Sequence, residues 1–371
     1  MSYTAATVQL LSPEGALVAS DAAAEYMPFV DALSDGHLRE FYRHMAVTRR
    51  FDQEATNLQR QGQMGLWVPS LGQEAAQVGS AFATRPQDHI FPAYREHAIA
   101  RIRGVDPLNI VKLLRGTTHG GWDPAKNNNF HLYTLVIGSQ TLHATGRAMA
   151  MTLSRETGTG NPETDGAVVA YFGDGATSQG DVSEAFVFAA SYQSPVLFFL
   201  QNNHWAISVP VSRQSRTPLY LRSSGFGIPG VQVDGNDVLA SYAVSRKNLE
   251  EIRSGKGPRL IEALTYRMGA HTSSDDPTKY RDEADLHRWE ARDPIARYKT
   301  WLQSKGESEA FFADVATEAE DLAADIRKRT VELGTPPTGL MFDHVYAEPH
   351  PLVDAQKQWL ADYEASFGGD A

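Results

Sequence analysis

Apolar residues recur at helical spacing from Leu38 through Phe41, Tyr42, Met45, Phe51, Ala55 and Leu58, behind Ser34 as an N-cap and ahead of Gly62 and Gly65. This spacing predicts one long amphipathic helix. Gln73 to Ala83 and Pro107 to Arg115 repeat the pattern, so the N-terminal third is mainly helical. Gly116 to Phe130 gathers Gly, Asn, Asp and Pro and reads as a long loop. Gly138 to Leu153 returns to helical periodicity, and Glu156 to Gly166 is a polar loop.

The pattern then changes. Ala167 to Phe172 is a short apolar run ending at glycine, Gln179 to Ser191 is helix-like, and Pro195 to Gln201 is a second apolar run. Together they predict a βαβ unit. Asp237 to Arg253 and Arg259 to Arg267 continue the alternation. The expected fold is α/β: a mostly parallel sheet with helices on both faces, a helical N-terminal region and a C-terminal extension. Beyond Asp282 the chain reads as helical and charged to about Leu333, followed by a tail. Met1 to Ala24 lacks sustained periodicity and reads as an arm over another surface or as disorder. The expected division is 1–34 arm, 35–333 main domain and 334–371 tail.

Composition narrows the function. The 45 acidic against 34 basic residues give a net charge of −11, which repels a large polyanion such as nucleic acid but leaves room for a small pocket gripping one diphosphate. Without cysteine, thiolate catalysis and zinc-thiolate sites are excluded. The first residues lack a basic stretch followed by an apolar core, and no run of about 18 apolar residues occurs. A cytoplasmic protein with no membrane partner is expected.

Gly173, Asp174 and Gly175 follow the first apolar run, and Asn202 and Asn203 follow the second. Both sets are expected at the carboxyl edge of one sheet, where ligands of open parallel sheets bind. An Asp carboxylate and an Asn carbonyl are hard oxygen ligands suited to magnesium shared with phosphate. The flanking glycines allow close backbone approach. Alone, Gly-Asp-Gly is an ordinary turn; the asparagines after the next strand change that reading.

The run GDGATSQGDVSEAFVFAASYQSPVLFFLQNNHWAISVP, Gly173 to Pro210, resembles the thiamine-diphosphate motif of 2-oxo acid dehydrogenase alpha subunits. The resemblance implies magnesium ligands at Asp174, Asn203 and the carbonyl of Trp205, with Gly173, Gly175, Ala176 and Ile207 against the cofactor. FPAYREHAIARIRG, Phe91 to Gly104, looks like the family's Tyr-Arg-Glu segment, which implies diphosphate contacts from Tyr94 and Arg95. Taken in isolation, Arg95 reads first as a surface ion-pair partner of Glu96 or Asp88. YRMGAHTSSDDPTKYR, Tyr266 to Arg281, is similar to the family's active-site loop. It implies that His271 lies beside the diphosphate and reacting centre, with Arg267 as a second cation. An imidazole titrating near neutrality could stabilise charge or act as an acid there. Ile137 either props the bent cofactor or is an ordinary core residue.

The resemblance spans about Asp35 to the C-terminus. The tail LMFDHVYAEPHPLVDAQKQWL and the Ser-Asp-Asp at 274–276 are similar to branched-chain 2-oxo acid dehydrogenase alpha subunits, with the pyruvate dehydrogenase alpha subunit as the alternative. An assembly subunit without catalysis is the alternative of another class. There are departures: His204 and Trp205 stand where glycine and tyrosine are common, Gln201 replaces an arginine, and Thr134 to Gln140 matches loosely, so the family's monovalent-cation site is not carried over. The family's partners follow as expectations: a beta subunit supplying a glutamate to the cofactor, an α2β2 heterotetramer, a lipoyl-bearing acyltransferase and a small 2-oxo acid substrate. The loop around His271 is the expected acyltransferase docking surface.

Overall fold

The computed structural model describes residues 7–118 and 120–367. Its N-terminal helices are α1 (Asp21–Asp31), α2 (Asp35–Arg60) and α3 (Glu74–Phe82), followed by strand β1 (His89–Phe91), α4 (His97–Ile102), α5 (Pro107–Arg115) and α6 (Ser139–Leu153). Then come β2 (Val168–Gly173), α7 (Gly180–Ser191), β3 (Val196–Asn202), the two-residue strands β4 (Trp205–Ala206) and β5 (Val209–Pro210), and the short helices α8 (Val211–Gln214) and α9 (Leu221–Ser224). β6 (Gly230–Asp234), α10 (Val238–Arg253) and β7 (Arg259–Leu264) complete the sheet, and α11 (Glu283–Glu290), α12 (Pro294–Ser304), α13 (Glu309–Val331) and α14 (Pro351–Ala365) end the chain.

Five strands run in the order β1-β2-β3-β7-β6, all parallel. The strand period of two divides their side chains between two cores. Val169, Tyr171, Leu197, Phe199 and Ile261 join the core with α2, α3 and α10, whereas Val168, Ala170, Phe172, Phe198 and Leu200 pack with α6 and α7. Both faces are therefore covered, which is why the strands read as continuous apolar runs. Helix α2 begins where Ser34 predicts: its Oγ accepts the His37 amide, and His37 returns a bond in a capping box. Among the described residues no helix is long and apolar enough to cross a membrane.

The N-terminal arm departs from expectation. Residues 1–6 lie outside the described residues, but from Val8 the chain adds to the edge of its own sheet, with the Val8 amide donating to Gln232 O and Asp234 N donating to Val8 O, each at 2.9 Å. The amides of Leu10 and Leu11 both donate to Asp237 Oδ2, at 2.7 and 2.6 Å, and both side chains are fully buried. Arg297 closes the cluster by donating to Leu11 O and Asp234. The partners that order this arm lie more than two hundred residues away in sequence, so no local pattern announces them. Helix α1, capped by Ser20, begins inside that unpatterned stretch and runs beyond it.

Candidate active site

Strands β2 and β3 pair in register from Val168–Val196 to Gly173–Gln201. Asp174 is thus one residue beyond that last pair and Asn203 two, and both line a single cavity of about 280 Å³ at the carboxyl edge of the sheet. Each predicted site residue but one borders this cavity. Gly173, Asp174, Gly175 and Ala176 come from the turn after β2, and Asn203, Trp205 and Ile207 from the segment after β3. Tyr94 and Arg95 lie after β1, Ile137 just before α6, and His271 on the loop after β7. Arg267 is the exception: fully buried behind the wall, it donates to Ile207 O at 2.7 Å, Trp205 O at 3.3 Å and Tyr280 Oη at 2.8 Å. It braces the turn that presents Trp205 O.

Burial lifts the Asp174 carboxyl to about 6, against opposing hydrogen bonds from Gln214, its own amide and the backbone of Asn203, and the field of Arg267. The involvement of the Asn203 backbone places it against the Asp174 carboxylate. Asp174 Oδ2 accepts from Gln214 Nε2 at 2.7 Å, and among the described residues no cation pairs with Asp174. Among those residues no three His, Asp or Glu side chains cluster as metal ligands, so an ion here would rely on one carboxylate plus amide, carbonyl and ligand oxygens. The surroundings fit a bulky anion: a Cβ placed on Gly173 meets no atom within 4 Å, so only hydrogen there leaves the cavity clear. A Cβ on Gly175 would come within 2.8 Å of Ala206 Cβ, so that glycine serves close packing between the two turns.

The turn after β3 is held in an unusual shape. His204 and Ile207 have φ of 71° and 53°, the left-handed region that non-glycine residues seldom occupy. Asn202 secures it, its Oδ1 accepting the His204 amide while its Nδ2 donates to buried Glu262 at 2.7 Å. The His204 ring packs near Tyr266 and Trp289. Histidine here carries strain that a glycine would not.

Arg95 is buried and forms neither of the ion pairs that its sequence context offered. Asp88 pairs with Arg253, and from Arg95 the Glu96 carboxyl receives the backbone amide, at 3.1 Å, and not the guanidinium. The Arg95 guanidinium instead donates to Pro69 O and to His271, and its Cζ stands 5.6 Å from the Tyr94 ring centroid. An arginine has five N–H donors, so some remain for a bound oxygen anion.

His271 does not titrate near neutrality. Burial, then Arg95 and Arg267, lowers its imidazole to about 4. Because both arginines can only donate, Nδ1 is the acceptor and Nε2 carries the proton. At physiological pH this is a neutral hydrogen-bond donor and not a ready acid. The loop carrying it is pinned by Asp275, whose Oδ2 accepts the His271 amide at 2.7 Å and the Tyr280 hydroxyl.

Five polar wall residues among those described were not anticipated from the sequence: Gln73, Glu96, Thr134, Gln140 and Gln179. Gln201 had been singled out only as a substitution. It donates to Glu96 Oε1 at 2.7 Å, and burial raises Glu96 to about 7. Single glutamines carry no sequence signature; the residue after Arg95 could have been flagged only by adjacency.

With this geometry in view, the comparisons with known proteins are specific. Residues 42–327 match the model of the family described as "Dehydrogenase E1 component". The chain is 42% identical over 362 residues to the 3-methyl-2-oxobutanoate dehydrogenase subunit alpha of Mycobacterium tuberculosis, covering 97% of this chain and 95% of that one. It is 38% identical to the pyruvate dehydrogenase E1 component subunit alpha of Acholeplasma laidlawii, over 86% of this chain and 91% of the relative. The corresponding Bacillus subtilis subunit is 36% identical, over 94% and 91%.

Proposed function

This chain belongs to the dehydrogenase E1 component family, as an alpha subunit of a 2-oxo acid dehydrogenase, and from that premise we propose that it binds thiamine diphosphate through magnesium and serves oxidative decarboxylation of a branched-chain 2-oxo acid. The observation that carries the cofactor reading is the meeting of Asp174 and Asn203, from neighbouring parallel strands, at one glycine-lined cavity.

In this reading Asp174 Oδ1, Asn203 Oδ1 and the Trp205 carbonyl hold the ion, and Arg267 keeps that carbonyl in place. Tyr94, Arg95 and the Nε2–H of His271 bind diphosphate or substrate oxygens, while Ala176, Ile137 and Ile207 give the cofactor an apolar seat. Bound thiamine diphosphate supplies the nucleophilic carbon and the electron sink for decarboxylation. His271, neutral at working pH, donates a hydrogen bond to developing negative charge without delivering a proton.

Leu135, Val136, Ile207 and Val209 are exposed apolar residues flanking the site. They suit a beta subunit that closes the cavity and adds the glutamate facing the aminopyrimidine, in an α2β2 heterotetramer. The lipoyl arm of an acyltransferase would then accept the acyl group near the His271 loop. A cytoplasmic location completes the proposal.

A branched-chain substrate is supported by the Mycobacterium tuberculosis relative, which combines the highest identity of those compared with nearly full coverage. Pyruvate is the second reading, favoured by the Acholeplasma and Bacillus relatives. Discrimination by one methylene is worth only about 1–3 kcal/mol. The test is kcat/KM for pyruvate, 3-methyl-2-oxobutanoate and 4-methyl-2-oxopentanoate with co-purified beta subunit. Preference for pyruvate would overturn the branched-chain assignment.

A further inference from the structure

Gln73 stands at the N-terminus of α3, is 1% exposed, and lines the cavity opposite the turn that carries Asn203. Its Oε1 accepts from Asn203 Nδ2 at 3.4 Å, and its own Nε2 has no hydrogen-bond partner among the described residues. Keeping a buried amide half unsatisfied is costly, and an apolar side chain of the same length would avoid that cost. The amide at position 73 therefore serves something other than packing.

The hydrogen bonds also fix which atom is which. The Trp205 amide can only donate, and it donates to Asn203 Oδ1 at 3.2 Å. Asn203 Nδ2 must then lie on the opposite side, where it needs an acceptor, and Gln73 Oε1 is that acceptor. Asn203 is thus held at both ends, with one lone pair of Oδ1 still uncommitted. If Gln73 could not accept, the Asn203 amide would lose the contact that prevents it from swinging or flipping to present nitrogen, and nitrogen cannot ligate a hard cation.

We propose that Gln73 is a positioning residue for the divalent ion: it holds the Asn203 carboxamide so that Oδ1, and not Nδ2, faces the Asp174 carboxylate. This rests on the magnesium–diphosphate reading of the cavity and adds to it an orienting residue outside both strand-end turns.

The test compares Gln73→Met, which keeps length and loses the acceptor, with Gln73→Glu, which keeps an acceptor oxygen. Each is purified with its beta subunit and titrated with Mg2+ at fixed thiamine diphosphate, following bound cofactor by calorimetry. Gln73→Met is expected to raise the half-saturating Mg2+ about tenfold, the size of one lost neutral hydrogen bond, while Gln73→Glu stays within about threefold of the native protein. Thermal midpoints without ligand identify any variant that merely unfolds, and Mn2+ bound to the folded Gln73→Met protein, read by electron paramagnetic resonance, is expected to show an altered ligand field. Unchanged Mg2+ dependence in Gln73→Met, or equal weakening in both folded variants, overturns the role. Absence of any Mg2+ dependence in the native protein would instead overturn the cofactor reading beneath it.

Discussion

The carbonyl oxygen of His271 accepts a 3.0 Å hydrogen bond from Arg95 Nη2, and the same guanidinium reaches His271 Nδ1 at 3.3 Å. Two segments of the cavity wall separated by 176 positions are thereby locked together. The bond to the carbonyl survives loss of the ring. His271→Ala is therefore expected to weaken cofactor binding by less than about tenfold while strongly depressing acyl transfer to lipoamide. Unchanged transfer kinetics would remove the ring from the reaction.

Burial of the His271 ring, with Arg95 and Arg267 beside it, sets a pH prediction. With its folded-state value lowered to about 4, the His271 imidazole gains its proton only well below neutrality. The pH profile of kcat is expected to show no inflection from this residue between about pH 5.5 and 8. An inflection near pH 6.5 that disappears in His271→Ala would contradict the neutral-donor role.

Asp174 carries a stability cost in the cofactor-free protein. Its pKa is raised from 3.8 to about 6, so the folded state disfavours the carboxylate. The penalty is full above about pH 6 and fades as pH falls, vanishing only below about pH 3, where both folded and unfolded forms are protonated. Asp174→Asn is expected to gain roughly 1–3 kcal/mol at pH 7.5, with the gain shrinking as pH falls and vanishing only below about pH 3. Thermal midpoints of the cofactor-stripped complex check this, and a loss of stability at pH 7.5 would contradict it.

Gly173 separates binding from folding. It has φ of −88° and ψ of 169°, open to any residue, and an added Cβ comes within 4 Å of no non-neighbouring atom among the described residues. Gly173→Ala should change stability by less than about 0.5 kcal/mol, as expected of a substitution without clashes or strain, yet weaken cofactor binding by filling its space. Equal affinity in the variant would show that the cofactor does not approach this backbone.

What the sequence made legible follows from how local each signal is. The β2–α7–β3 unit was readable because both strands are buried on both faces and end in turn residues. Strand β1 escaped because His-Ile-Phe is too short to carry a period, and β6 because Gly230–Asp234 alternates weakly at a half-buried edge completed by the N-terminal arm. The site was legible through Asp174 and Asn203, whose chemistry is distinctive, and through the resemblance that joined Tyr94, Arg95 and His271 to them. Gln73, Glu96 and Gln140 were not, because amides and buried acids gain meaning only from neighbours that folding supplies. Arg267 was placed in the right region but one layer behind the cavity, a distinction of depth that sequence does not encode.

Asp174 and Asn203 are proposed to share one divalent ion against a diphosphate. The most direct measurement is calorimetric titration of thiamine diphosphate into the complex of this chain with its beta subunit, with and without Mg2+, for the native chain, Asp174→Ala and Asn203→Ala. Mg2+ is expected to tighten native binding by about 100-fold or more, roughly 3 kcal/mol, and either substitution to remove most of this gain. Undiminished Mg2+-dependent affinity in the Asp174→Ala protein would contradict it.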